Sequence, residues 1–314
     1  MKLVLILIFG IVAIRGLLTL GDFGYGKRVE KRYARWNSTI ERDEGGIRIG
    51  CRAYDMGEGD IGILLVHGFA DSPAVYHLMA PALAERGFAC RAMRLPGFAA
   101  DRETYADSDR GKWFHAVQNE LATLRENHRH VWVVGHSTGA SVGLKVLAEI
   151  PEVADGIVLL APLIRVSDKR SPVLRVPTWF KIGEEIFEST EMLENVFPVD
   201  VHHPTDGYAG NDKFVPLGVY KEIFALMSDI EALAPMISHP VMMVLADGDQ
   251  VIDSGIATTF YDAMSSSVKR RITQADTGHV IPLDHTWEAV TDDIASFVKT
   301  QSAMSSTSLQ PRDP

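Results

Sequence analysis

Cysteine is scarce: the 314-residue chain has only Cys51 and Cys90. Two thiols cannot build a disulfide framework, and their spacing matches no zinc pattern. Both lie in runs that read as buried strands, which predicts two small core residues and leaves one bond between them open. Excess positive charge is also missing. Lys and Arg number 31 against 41 Asp and Glu, a formal charge of -10. That balance excludes a general nucleic-acid binder, which presents a basic face to phosphate. Internal repeats and low-complexity tracts are absent from the body of the chain, so no repeat architecture is expected.

Long apolar runs are nearly absent too, with one exception. Leu3 to Leu20 is apolar apart from Arg15 and Thr19. As a helix this run would span roughly 27 Å, close to the thickness of a bilayer core. Residues 1–20 are therefore expected to be a membrane anchor, and membrane contact through this segment is expected. Residues 21–44 form a basic linker carrying Lys27, Arg28, Lys31, Arg32 and Arg35. The positive-inside rule favours the cytoplasmic side, but the same residues suit anionic headgroups on either face. Two alternatives compete. A cleaved signal peptide would make the protein secreted or periplasmic, although no small-x-small cleavage site follows. A core helix would be less uniformly apolar.

Beyond the linker, strand-like and helix-like runs alternate. Strands are expected at Ile47–Tyr54, Ile61–Val66, Ala89–Arg94, Val131–Val134, Ile157–Leu160, Val241–Leu245 and Lys269–Thr273. Helices are expected at Ser72–Arg86, Gly111–Glu126, Ser141–Glu149, Ser254–Ser265 and His285–Lys299. This order predicts an α/β fold, a mostly parallel sheet with helices on both faces. Residues 45–161 and 236–300 form its core. The alternation breaks over 162–235, which is rich in proline and aromatics. An insertion after a central strand sits over the carboxyl ends of the strands, where ligands bind in such folds, so it is read as a cap. Residues 301–314 read as a disordered tail.

The sharpest chemical signal is Gly135-His136-Ser137-Thr138-Gly139, between the apolar run Val131–Val134 and a helical stretch. A serine flanked by glycines at this spacing fits a tight strand-to-helix turn that lifts its hydroxyl above the sheet. Ser137 is the candidate nucleophile. A hydroxyl attacks only when a base takes its proton. In this arrangement the acid and then the histidine follow the serine along the chain. His279, in Thr277-Gly278-His279 after the last strand, is the candidate base, with His285 as the alternative. Asp249, in Asp247-Gly248-Asp249, is the candidate acid. Asp247 competes as a turn former, Asp253 as a helix cap and Asp168 as an acid from the preceding strand.

An oxyanion needs two backbone donors. Thr138 follows the nucleophile. Phe69 follows His67-Gly68 after the strand Ile61–Val66, with His67 read as a structural residue of that loop. His202 and His203 are adjacent and lack a supporting carboxylate spacing, so no metal is expected.

These segments together resemble a known group. Gly135–Gly139, His67-Gly68-Phe69 with Asp71-Ser72-Pro73, Arg94-Leu95-Pro96-Gly97, Ala246–Val251 and Thr277-Gly278-His279 are similar to the monoacylglycerol lipase, lysophospholipase and bacterial carboxylesterase branch of the α/β hydrolases. The likeness runs from about Ile47 to Val298. It implies the α/β-hydrolase fold, with an eight-stranded, mostly parallel sheet, a helical cap and no cofactor. It also implies the triad Ser137, Asp249 and His279, with oxyanion donors at Phe69 and Thr138. Two departures stand out: Phe98 follows Leu95-Pro96-Gly97 where the group usually has histidine, and Thr138 is unusual beside Gly139.

The expected activity is serine-dependent cleavage of a carboxylic ester through an acyl-enzyme, with a small-molecule acyl ester as partner. The apolar cap residues Leu174, Val176, Trp179, Phe180, Ile182, Phe187, Val196 and Phe197 point to a lipid-like acyl chain such as a monoacylglycerol or lysophospholipid. Two other functions compete. One is a peptidase or amidase of the proline-releasing kind, using cap acids among Glu184, Glu185, Glu188, Glu191 and Glu194. The other is a non-catalytic binding protein on a hydrolase fold. The oligomeric state is left open.

Overall fold

Short runs of aliphatic residues build the central sheet. The computed structural model describes residues 2–169, 171, 173–186, 190–197, 200–203 and 210–308. In chain order the sheet strands are β1 (Tyr54–Met56), β2 (Ile61–Val66), β3 (Ala89–Met93), β4 (His130–His136) and β5 (Gly156–Leu160). After an insertion come β8 (Val241–Ala246) and β9 (Lys269–Gln274). The insertion carries β6 (Met192–Glu194) and β7 (Phe214–Pro216). The seven sheet strands lie in the order β1-β3-β2-β4-β5-β8-β9. Every pair is parallel except β1 with β3. Strands β4, β5 and β8 are buried along their whole length, as continuous apolar strands covered on both faces must be. The edge strand β9 alternates between exposed and half-buried positions and begins Lys269-Arg270-Arg271. Charged residues there discourage pairing with another chain.

Helices pack over this sheet. They are α1 (Lys2–Asn37), α2 (Met79–Glu85), α3 (Arg102–Ala106), α4 (Arg110–Asn127), α5 (Thr138–Glu149), α6 (Val176–Ile186), α7 (Leu217–Ile230), α8 (Ser254–Asp262) and α9 (Trp287–Ser308). Helix α2 packs against α9, and α5 lies against α4 and α7. Trp113, Trp132, Tyr76 and Phe88 are fully buried in the core between helices and sheet. Cys51 and Cys90 are buried and unbonded to each other.

Four expectations need correction. First, among the described residues the sheet has seven strands rather than eight. Only Tyr54–Met56 of the expected strand Ile47–Tyr54 pairs with the sheet. Upstream the chain is turned rather than extended: the Arg48 amide bonds Ala99 O at 2.9 Å, and Gly50 has φ +79°. Second, the insertion contains a two-stranded antiparallel sheet, β6–β7. Its Met192 and Phe214 are buried with Val29, Tyr33 and Trp36 of α1.

Third, the membrane anchor is overturned. Among the described residues, no helix is long and apolar enough to cross a membrane. Helix α1 runs without a break from Lys2 to Asn37, past Arg15 and through the basic stretch expected to be a linker. Its carboxyl half is tied to the insertion. Thr190 Oγ1 donates to Asp22 Oδ1 at 2.6 Å, and Arg32 pairs with Glu194 at 2.7 Å. The reading of membrane localisation through a spanning segment falls with it. Fourth, the expected disordered tail starts too early, because α9 continues to Ser308. Ser302 is buried there and accepts from Trp132 Nε1 at 3.0 Å. Residues 309–314 lie outside the described residues.

Candidate active site

Ser137 sits at the turn from β4 into α5, with φ +51° and ψ −113°. A non-glycine residue in this region is strained and persists only where its surroundings hold it. Here they do. Ser137 N donates to Leu160 O at 2.9 Å, and Ser137 O accepts from Leu163 N at 3.2 Å. The flanking glycines are required by close approach. A Cβ on Gly135 would overlap Ala140, and one on Gly139 would overlap the Val66 and His67 carbonyl oxygens.

The structure brings the three candidates together across 142 residues of chain. His279 Nε2 lies 3.0 Å from Ser137 Oγ, and His279 Nδ1 lies 2.8 Å from Asp249 Oδ2. The carboxylate can only accept, so Nδ1 carries the proton and Nε2 is left to accept from the serine hydroxyl. Asp249 is held in turn by the amides of Val251 and Ile252, at 2.7 and 3.0 Å on Oδ1. Burial pushes its carboxyl up, but His279 and those two amides outweigh it and hold the group below the usual carboxylate range. Asp249 and His279 are 1% and 6% exposed, so water competes little for their hydrogen bond.

The competing residues have other work. Asp253 caps α8 by accepting from Ile256 N at 3.0 Å. Asp168 Oδ1 accepts from Val176 N at 3.0 Å at the start of α6. The Asp247 side chain is exposed. His285 Nδ1 bonds Asp284 Oδ1 at 2.9 Å, away from the serine. His67 holds the loop after β2: Leu95 N donates to its Nε2 at 3.0 Å, leaving Nδ1–H for Gly68 O at 2.8 Å. Burial lowers its pKa to about 3, so it stays neutral. Phe98, which replaces the group's usual histidine, packs edge-on to both His67 and Phe69 at 5.4 and 6.3 Å between centroids.

Phe69 lines the cleft above Ser137. Thr138 is the first residue of α5, where amides have no partner inside the helix. The cleft is open to solvent, and its apolar lining includes Leu163, Val166, Phe197, Ile223 and Val251. Of the apolar insertion residues, Phe197 faces the cleft and Phe180 packs on Phe224 at 4.8 Å. Trp179, Ile182 and Val196 are exposed instead, and Phe187 lies outside the described residues. Among the described residues, no group of three or more His, Cys, Asp or Glu is placed to hold a metal ion. His202 and His203 both approach Asp276.

Sequence reasoning missed Asp284. It is fully buried and accepts from the amides of Gly278, His202, His203 and His285, at 2.8 to 3.1 Å. Burial raises its pKa, but the Gly278 amide, His285 and the other amides prevail and set it at about 2. The carboxylate thus pins the turn carrying His279 to residues 202–203. Asp200 completes this bracing, accepting from Gln250 N at 2.9 Å and, through its carbonyl, from Val280 N at 3.0 Å. An acid closing the apolar run Ile281-Pro282-Leu283 was the only local signal.

Residues 60–286 match the family described as Serine aminopeptidase, S33. A carboxylesterase of Bacillus subtilis (strain 168) is 23% identical over 77% of this chain and 93% of its own length. A thermostable monoacylglycerol lipase of Bacillus sp. (strain H-257) is 22% identical over 75% of this chain and 89% of its own. Among solved structures, one from the metagenome-derived lipolytic enzymes LipS and LipT superposes with a TM-score of 0.72. It is 20% identical and covers 81% of this chain and 99% of that one. The chain is a serine hydrolase of the α/β-hydrolase fold and belongs to the family described as Serine aminopeptidase, S33.

Proposed function

We propose that the substrate of this serine carboxylic-ester hydrolase is a lipid-like acyl ester, such as a monoacylglycerol or lysophospholipid, cleaved through an acyl-enzyme. Ser137 Oγ attacks the ester carbonyl carbon while its proton passes to His279 Nε2. Asp249 keeps His279 in the required tautomer and stabilises the imidazolium. The oxyanion is received by the amides of Phe69 and Thr138. Collapse breaks the bond to the alcohol oxygen, which leaves with the proton from Nε2. Water, deprotonated by the same nitrogen, then releases the carboxylic acid and restores Ser137.

The observation that carries this reading is the hydrogen-bonded chain from Asp249 through His279 to Ser137, opening into an apolar cleft. The insertion over 162–235 acts as a cap supplying Phe197 and Ile223 to that cleft. Asp71 and Asn211, also on its lining, suit the hydroxyls of a polyol. Aminopeptidase chemistry would instead need an acid free to bind a substrate ammonium. Glu191 and Glu194 are engaged by Arg102 and Arg32 at 2.8 and 2.7 Å. The side chains of Glu184 and Glu185, and all of Glu188, lie outside the described residues.

Turnover of nitrophenyl esters of increasing acyl length, then of monoacylglycerols, tests the proposal. Specificity should rise with chain length, each buried methylene adding up to about 0.8 kcal/mol. Activity confined to the shortest esters, or to aminoacyl amides, would rule out the lipid substrate.

A further inference from the structure

We propose that Asp212 is a positioning residue that joins the cap to the oxyanion loop and holds Phe69–Ala70 in its working shape. This rests on the ester-hydrolase reading, in which the Phe69 amide receives the developing charge.

Asp212 stands five residues before the start of α7, which lends Ile223 to the cleft, just after Asn211, and is 3% exposed. Its amide donates to Ala70 O at 2.7 Å. Its carboxylate accepts from Ala99 N at 3.1 Å and from the guanidinium of Arg48. Arg48 is also buried. Its Nη1 donates to Gly210 O at 2.8 Å, and its backbone amide to Ala99 O at 2.9 Å. Asn195 Nδ2 donates to the Asp212 carbonyl at 3.3 Å. One residue therefore ties the segment before β1, the loop after β2, the loop after β3 and the cap.

The two alanines it binds are both strained. Ala70 has φ +53° and Ala99 has φ +55°, a region that favours glycine. Such conformations persist where neighbours over-determine them. Ala70 directly follows Phe69: the carboxylate's bonds fix where Asp212 stands, and its amide then holds the Ala70–Asp71 peptide, next but one to the plane that carries the Phe69 amide. Neither Arg48 nor Asp212 lines the cleft, so neither touches substrate. A buried ion pair returns little net stability for its desolvation, which leaves fixing this geometry as the pair's main effect.

The clamp also senses pH. Burial pushes the Asp212 carboxyl up to about 6, against the pull of Arg48, the Ala99 amide and Arg42. The other groups facing it are Arg94, Tyr105 and Cys51. Burial raises the Tyr105 and Cys51 values, so both stay neutral where Asp212 titrates. Protonating Asp212 removes the charge that holds Arg48 and weakens the acceptor for Ala99.

Asp212→Asn tests this with a short nitrophenyl ester, whose binding needs little of the cap. The expected result is a fall in kcat of at least about tenfold with KM nearly unchanged, since losing an oxyanion donor outright costs roughly 10²–10³. The ratio of wild-type to variant kcat should shrink as pH falls through about 6, where the wild-type carboxyl itself takes a proton. Ala70→Gly added to the variant should recover part of kcat, because glycine adopts the loop's φ unaided. An unchanged kcat, or a ratio independent of pH, would overturn the proposal. Should the variant not fold, hydrogen exchange of the wild type, corrected for intrinsic rate, replaces it. Protection across 67–72 and at the Asp212 amide should drop together below about pH 6, and protection unchanged across that pH overturns the proposal. A wild type inactive on every ester would defeat the functional reading instead, leaving the exchange result to decide the clamp.

Discussion

His136 Nε2 lies 3.1 Å from the backbone carbonyl oxygen of His279, so the residue before the nucleophile supports the backbone of the base. A carbonyl only accepts, so Nε2 bears the proton and Nδ1 is a buried acceptor with no partner among the described residues. Burial, with His279 adding to it, lowers the His136 pKa to about 3 and keeps the ring neutral. The imidazole is thus fixed in one tautomer and serves as a strut between two loops that are distant in the chain.

His136→Leu should lower kcat by on the order of tenfold while leaving KM for a short ester near its original value. The stability change should be small, within about 1 kcal/mol, because the substitution removes an unpaired acceptor along with a hydrogen bond. Steady-state kinetics beside a denaturant titration checks both halves.

Asp249→Asn should reduce kcat by roughly 10⁴ without unfolding the protein, because an amide at this position favours the wrong histidine tautomer. Circular dichroism should match the wild type. A loss below about tenfold would mean that another group, with Asp168 the first to test, orients His279.

Gly139→Ala should be far more damaging than a surface glycine change. The new Cβ would press on the Val66 and His67 carbonyl oxygens, at the end of β2 and the start of the loop that leads to Phe69. A loss above about 3 kcal/mol is expected, by the backbone-clash mechanism. Gly218→Ala is the control, since nothing lies within 4 Å of its added Cβ.

Asp284→Asn should destabilise the fold in a pH-dependent way. The folded carboxyl has its pKa lowered to about 2, so its ionised form contributes stability above the unfolded value. That contribution disappears as pH falls from the unfolded value through about 2. The melting temperatures of wild type and variant should therefore differ most near neutral pH and converge in strong acid. A constant difference across the range would show that the carboxylate's charge is not what matters.

Local chemistry explains which parts of the site were legible before the fold was known. Gly135, Ser137 and Gly139 belong to one turn whose steric demands act between near neighbours. Asp249 and His279 were found because each follows a strand in the order that a parallel sheet brings to one edge. Asp212 and Asp284 gave no comparable signal. The Asp284 partners are mostly backbone amides, which any residue except proline supplies, and Asp212 engages the backbone at both Ala70 and Ala99. Asp212 meets Ala99 and Arg48 across 113 and 164 positions, contacts that exist only once the insertion has docked. The docking of α1 was hidden for another reason. Its apolar run resembles a span when counted alone, whereas Val29, Tyr33 and Trp36, which bury against the insertion, lie beyond that run.

The most direct measurement is intact-mass spectrometry and peptide mapping after a fluorophosphonate probe, with ester turnover followed in parallel. The wild type should gain one adduct, on Ser137, and lose activity in proportion to labelling. Ser137→Ala should be folded, unlabelled and inactive. Labelling of another residue, or ester turnover retained by Ser137→Ala, would contradict the account.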